Sequence, residues 1–181
     1  MSSITITDRG PTPRGMRREW SACARAAGEE TGNYWHQQLL SKHFTHQGGK
    51  EYGYLPRSGE GGRMPISSGG GKTGRLNWTY TYTGRKLRYK HHTDPLVWSG
   101  GMKRETTAIR DVRVSGSSHV THVRVVLHAK ALNLRNPKSP IDMRDEISRV
   151  SDQEAAILAS VFDAEMDYQL NHISSSETRA A

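Results

Sequence analysis

IRDVRVS at 109–115 and HVTHVRVVLHA at 119–129 decide the fold. Val112 and Val114 fall on one face of the first stretch, and Val123, Val125 and Leu127 on one face of the second. A two-residue repeat is the side-chain period of a strand, and Gly116-Ser117-Ser118 between the stretches has turn composition. The pair predicts an antiparallel hairpin. Two strands alone are marginal in water, so its apolar face needs a covering layer.

Two helical stretches can supply that layer. Between Arg14 and Phe44, Met16, Trp20, Cys23, Ala27, Tyr34 and Leu39 recur at helical spacings, with Arg17, Arg18, Arg25, Glu29 and Glu30 on the other side. Gly28 and Gly32 each weaken the middle by about 1 kcal/mol relative to alanine, which leaves a kink or two helices as open as one rod. Toward the other end, Ser151 and Glu154 match a capping box. Ile157, Leu158, Val161, Phe162 and Leu170 then form an apolar stripe, and Asp152, Glu154, Asp163, Glu165 and Asp167 make the opposite side acidic. Residues 1–12 read as a loose lead-in, 133–142 as a loop and 174–181 as a flexible tail. The expectation is one α+β domain over 1–181, with N-terminal and C-terminal helices packed on a small antiparallel sheet.

Residues 45–92 differ in character. Ten of the 18 glycines fall between 45 and 75, with Pro56 and Pro65. After them, Leu76, Trp78, Tyr80 and Tyr82 alternate with Asn77, Thr79 and Thr81 as in a strand. Thr83-Gly84 can turn, and Arg85 to Lys90 can return as a second strand carrying four positive charges. The reading is a glycine-rich loop and β-hairpin arm projecting over 45–92. TDPLVWSGGMKRE, at 93–105, reads as a turn into a short apolar piece and then a basic helix-like segment.

Composition narrows the function. Of 181 residues 34% are apolar, enough for one modest core. No apolar run approaches the roughly 18 residues of a membrane span, so no membrane partner is expected. The single cysteine, Cys23, excludes an internal disulfide framework and a four-cysteine zinc site. Charge is uneven: residues 1–140 hold 23 Lys and Arg against 9 Asp and Glu, while 141–181 hold 3 against 9. Such polarity suits contact with nucleic acid, or head-to-tail stacking of copies.

No motif supplies chemistry. Gly69-Gly70-Gly71-Lys72-Thr73 lacks the earlier glycine of a phosphate loop, since that position is Ile66. His36, His43 and His46 could share a helical face, but no carboxylate sits at the offset a helical zinc motif requires. Cys23 lies in an apolar stripe, and no Gly-x-Ser-x-Gly elbow occurs. The expectation is therefore no enzyme, no cofactor, no metal and no catalytic residue. The basic-aromatic hairpin keeps a second reading open, a non-specific nucleic-acid-binding protein with cations on phosphates and rings on bases.

Several segments, in order, carry a resemblance: a first helix, YGYLPRSG (52–59), a basic linker, TDPLVWSGGMKRE (93–105), a β-hairpin, and RDEISRVSDQEAAILASVFD (144–163). The chain resembles the head–tail joining or tail-completion proteins of tailed phages, the group related to virion morphogenesis proteins. The Pro-Leu-Val-x-Ser-Gly piece of that group stands here as Pro95, Leu96, Val97, Trp98, Ser99 and Gly100. The chain departs from the pattern at 59–92, where glycine loops and an aromatic strand replace a compact basic helix. The resemblance implies a small virion protein, assembled in the host cytoplasm, that forms a homo-oligomeric ring in the neck. Its partners would be portal or adaptor proteins and tail proteins, with possible contact to genomic DNA. Trp78, Tyr80, Tyr82, Arg85 and Arg88 are the interface candidates. Pro95, Leu96 and Trp98 are candidates for anchoring the arm to the core.

Overall fold

The computed structural model describes residues 2–7, 17–57, 79, 81–97, 100–117, 120–133 and 141–180. The fold is mixed helix and strand. Helix α1 (Arg17–Tyr34) continues as a π-helical stretch, Trp35–Leu39, and a 3-10 stretch, Leu40–Phe44. The first helical segment is thus one run whose winding changes along its length. Helices α2 (His46–Glu51), α3 (Tyr82–Lys90) and α4 (Gly101–Ala108) follow.

The hairpin forms where the sequence places it. Strands β2 (Val112–Ser117) and β3 (Val120–Val125) pair antiparallel, with Val114 opposite Val123. A strand β1 (Ser2–Thr7) pairs with the other edge of β3, giving the order β1-β3-β2. This corrects the loose lead-in expected at 1–12 over residues 2–7, the rest of that stretch lying outside the described residues. Ile4 and Ile6 alternating with threonine were the signal for a strand. Helices α5 (Met143–Ile147) and α6 (Asp152–Ala180) complete the chain. The α6 backbone stays helical to Ala180, through most of the stretch expected to be a tail.

Helix α1 lies between the sheet and α6. Its two glycines explain how closely it approaches the strands. A Cβ at Gly32 would stand 2.5 Å from Val112 Cγ1, and one at Gly28 would stand 3.0 Å from Thr121 Cγ2. The helix-weakening residues of the sequence reading are the ones that let backbone rest on the valine face. On its other side Cys23, Ala24 and Ala27 pack on Phe162 and Met166 of α6. A larger core gathers Trp35, Leu39, Leu40 and Phe44 around Val125, Leu132, Ile147 and Leu158.

The described parts of 45–92 do not project as an arm. Residues 46–57 lie against the body, with Tyr52 and Arg57 buried. The expected return strand, 85–90, is instead part of helix α3. Two local causes favour it. The Thr81 hydroxyl caps the helix by accepting from the Gly84 amide at 3.1 Å. Arg85, Lys86, Leu87, Arg88 and Lys90 are all straight-chain or γ-branched helix formers, with no β-branched residue among them. His91, at φ 58°, ends the helix in the left-handed conformation. The stretch that the alternation assigned to a strand is thus a helix with four basic residues. Residues 58–78 and 80, with most of the glycine-rich loop and part of the expected first strand at 76–82, lie outside the described residues, and Tyr82 of that strand belongs to α3.

Candidate functional site

Tyr52 closes α2, and Gly53 follows at φ +60°, a conformation glycine adopts without strain. This turn brings the next few residues back over the 3-10 stretch and the start of α6. The Tyr52 ring stacks on His43 at 3.8 Å between centroids and 3° between planes. Its hydroxyl donates to Glu154 Oε1 at 2.6 Å. The Tyr54 hydroxyl meets His43 Nδ1 at 2.5 Å, and Trp35 stands edge-on to the same imidazole. His43 Nε2 lies 3.9 Å from Glu154 Oε1. His43 and Glu154 are both 0% exposed.

A second bond set fixes the far end of the segment. Arg57 engages Glu146 through both guanidinium nitrogens, with Nη1 donating to Oε1 at 2.9 Å. The Leu55 amide donates to the same Oε1 at 3.1 Å. Two-pronged pairing suits the planar guanidinium and satisfies a carboxylate that has lost its water. Arg149 donates to the carbonyls of Tyr52 and Gly53. The 52–57 segment is thus clasped to the α5–α6 region by Glu146, Arg149 and Glu154.

Burial sets the electrostatics. It lowers the His43 pKa from the ordinary 6.5 to about 4, so the imidazole is neutral at pH 7. It raises both tyrosines, with the nearby carboxylates acting in the same direction. The Glu154 carboxyl is also raised by burial, against the Tyr52 hydrogen bond and the nearby Ser151 amide. His43, Tyr52, Arg57, Glu146 and Glu154 are buried, Tyr54 is half-buried, and Arg149 is exposed. The cluster holds chain segments together.

The sequence reading missed this clasp. It assigned Glu154 to the acidic outer side of the last helix, and the structure corrects that. Ser151 Oγ does accept from the Glu154 amide at 3.2 Å, as the capping box requires. The carboxylate, however, points inward to Tyr52. The signal was available: Glu154, Leu158, Phe162 and Met166 follow at four-residue steps, and all four are buried.

The interface candidates separate into two groups. Tyr82, Arg85 and Arg88 share α3 and are exposed. Tyr82 is 38% exposed, Leu87 42% and Tyr89 63%, so this helix carries three of the large apolar side chains left open. Arg88 lies over the Tyr89 ring at 5.6 Å. Lys86, one of the four charges expected on the return strand, turns inward instead and donates to the Asp94 carbonyl. Pro95 and Leu96 are buried, and Leu96 joins the larger core at φ 54°. Their burial ties the chain after α3 to the body. Trp78, Tyr80 and Trp98 lie outside the described residues.

A cleft of about 410 Å³ opens between α2 and the 93–95 stretch, lined among others by Lys50, Tyr54, Arg57, Thr83 and Pro95. Among the described residues, no group of three His, Cys, Asp or Glu side chains is placed to hold a metal ion, and no helix is long and apolar enough to cross a membrane. Comparison with family models, with curated proteins and with solved structures finds no match to this chain.

Proposed function

We propose that this chain is a structural subunit acting through protein–protein contact, a ring component of a tailed-phage neck that joins the portal at the head to the tail. One observation carries the reading. Helix α3 exposes Tyr82, Leu87 and Tyr89 among Arg85 and Arg88, a mixture that protein interfaces favour. The clasp supports it from inside. YGYLPR and the 144–154 stretch, two of the motifs behind the phage resemblance, bond to each other through Arg57–Glu146 and Tyr52–Glu154. Residues with that role are architectural, which suits a virion component. Ring neighbours meet through unlike surfaces, so one subunit must carry both halves of the contact. A basic body with an acidic C-terminal helix provides unlike surfaces.

The test is the mass of the purified protein in solution, with and without DNA. Discrete oligomers formed without DNA are expected. A monomer that binds single-stranded DNA, with affinity falling steeply as salt rises, would overturn the reading in favour of nucleic-acid binding.

A further inference from the structure

Two helix faces on this molecule carry unlike charges that form no ion pair among the described residues. On α3 the inward positions are Thr83, Gly84 and Lys86, which leaves Arg85, Arg88 and Tyr89 on the outer ridge. The helix holds no acidic residue. On α6 the buried row is Glu154, Leu158, Phe162 and Met166. The opposite face presents Asp163 and Asp167 beside Ser160 and Ala164, all exposed. From Asp152 to His172 this helix holds no lysine or arginine. Among the described residues, neither Arg85, Arg88, Asp163 nor Asp167 is engaged in an ion pair.

We infer that the outer ridge of α3 docks on the outer face of α6 of a second copy of this chain, head to tail. The inference rests on the assembly reading above and names the contact that assembly uses. Charge is the first argument: two guanidinium groups meet two carboxylates, and like pairings are repelled. Shape is the second. Ser160 and Ala164 form a row of small side chains beside the aspartates, and Tyr89 is a large side chain standing 63% exposed on the facing ridge. Such a contact is heterologous, because each subunit spends one face on each neighbour. It therefore propagates into a ring or a stack rather than stopping at a pair.

Charge exchange tests it, read by sedimentation with circular dichroism as the folding control. Arg85→Glu with Arg88→Glu makes both faces acidic, and Asp163→Arg with Asp167→Arg makes both basic. Each double variant alone should associate at least about tenfold more weakly than the parent, a loss of about 1.4 kcal/mol or more. An equimolar mixture of the two should recover association, because each acidic α3 then finds a basic α6 and each basic α3 an acidic α6. The quadruple variant should recover it in one chain. Oligomers that survive both double variants unchanged would overturn this contact while leaving the assembly reading intact. A parent protein that stays monomeric would overturn both.

Discussion

The clasp around His43 and the ridge of α3 are built from the same residue types and put to opposite uses. Each combines tyrosine with arginine. In the clasp, Tyr52 and Arg57 meet acceptors contributed from about 90 to 100 residues further along the chain, Tyr54 meets His43, and burial excludes water. On α3, Tyr82, Tyr89, Arg85 and Arg88 meet solvent. Composition alone therefore does not separate a structural cluster from a binding surface; what separates them is whether acceptors sit within reach. A buried guanidinium that loses its carboxylate is left uncompensated, whereas an exposed one keeps its hydration.

The largest test of that contrast is Glu146→Ala. Removing one partner of a buried, two-pronged pair should cost about 3–5 kcal/mol, since Arg57 and the Leu55 amide both lose their acceptor. Urea unfolding followed by circular dichroism reads the loss. Replacing both partners, Arg57→Met with Glu146→Leu, should recover most of it, because no charge is then stranded. A single variant as stable as the parent would mean that the clasp does not hold 52–57.

The next effect is a pH dependence centred on His43. Its folded pKa of about 4 lies below the ordinary 6.5, so the folded state resists the proton that the unfolded chain accepts. Stability from this group is complete above pH 6.5 and is lost as pH falls toward 4, about 3 kcal/mol in all at 1.36 kcal/mol per pKa unit. Glu154 acts with the opposite sign. Its raised pKa lets the folded state take up a proton more readily, which adds stability as pH falls. The clean measurement is therefore the difference between the parent and His43→Gln in urea unfolding at pH 7 and pH 4.5. The variant should lose less stability on acidification than the parent. Equal losses would show that His43 is not kept neutral by its surroundings.

Part of this architecture is legible in the sequence, and the failures have separate causes. The β2–β3 hairpin and the capped start of α6 follow from local period and capping chemistry. The clasp does not, because its bonds join Tyr52 to Glu154 and Arg57 to Glu146 across long separations that no local pattern encodes. Helix α3 was misread for a different reason. The alternation of Leu76, Trp78, Tyr80 and Tyr82 suggested a partner strand, and that suggestion outweighed the helix-forming composition of Arg85 to Lys90. Gly28 and Gly32 show a third kind of failure. Propensity counts their backbone freedom as a cost, yet the close approach of α1 to Val112 and Val123 leaves no room for a Cβ at Gly32. The clasp and the two glycines are decided by contacts with other elements, whereas α3 is decided by its own cap and composition.

The smallest expected effect sharpens the contrast most. Arg85→Ala and Tyr89→Ala should each change the stability of the isolated subunit by less than about 0.5 kcal/mol, because neither side chain packs on the body and alanine favours the helix. Thermal unfolding at a concentration low enough to keep subunits apart measures this directly. A loss of several kcal/mol would place the α3 ridge in the same class as the clasp, as part of what holds the fold. A near-zero change would leave these residues without a task inside their own subunit. An apolar ring 63% exposed on a rigid helix then has its use in what the subunit meets.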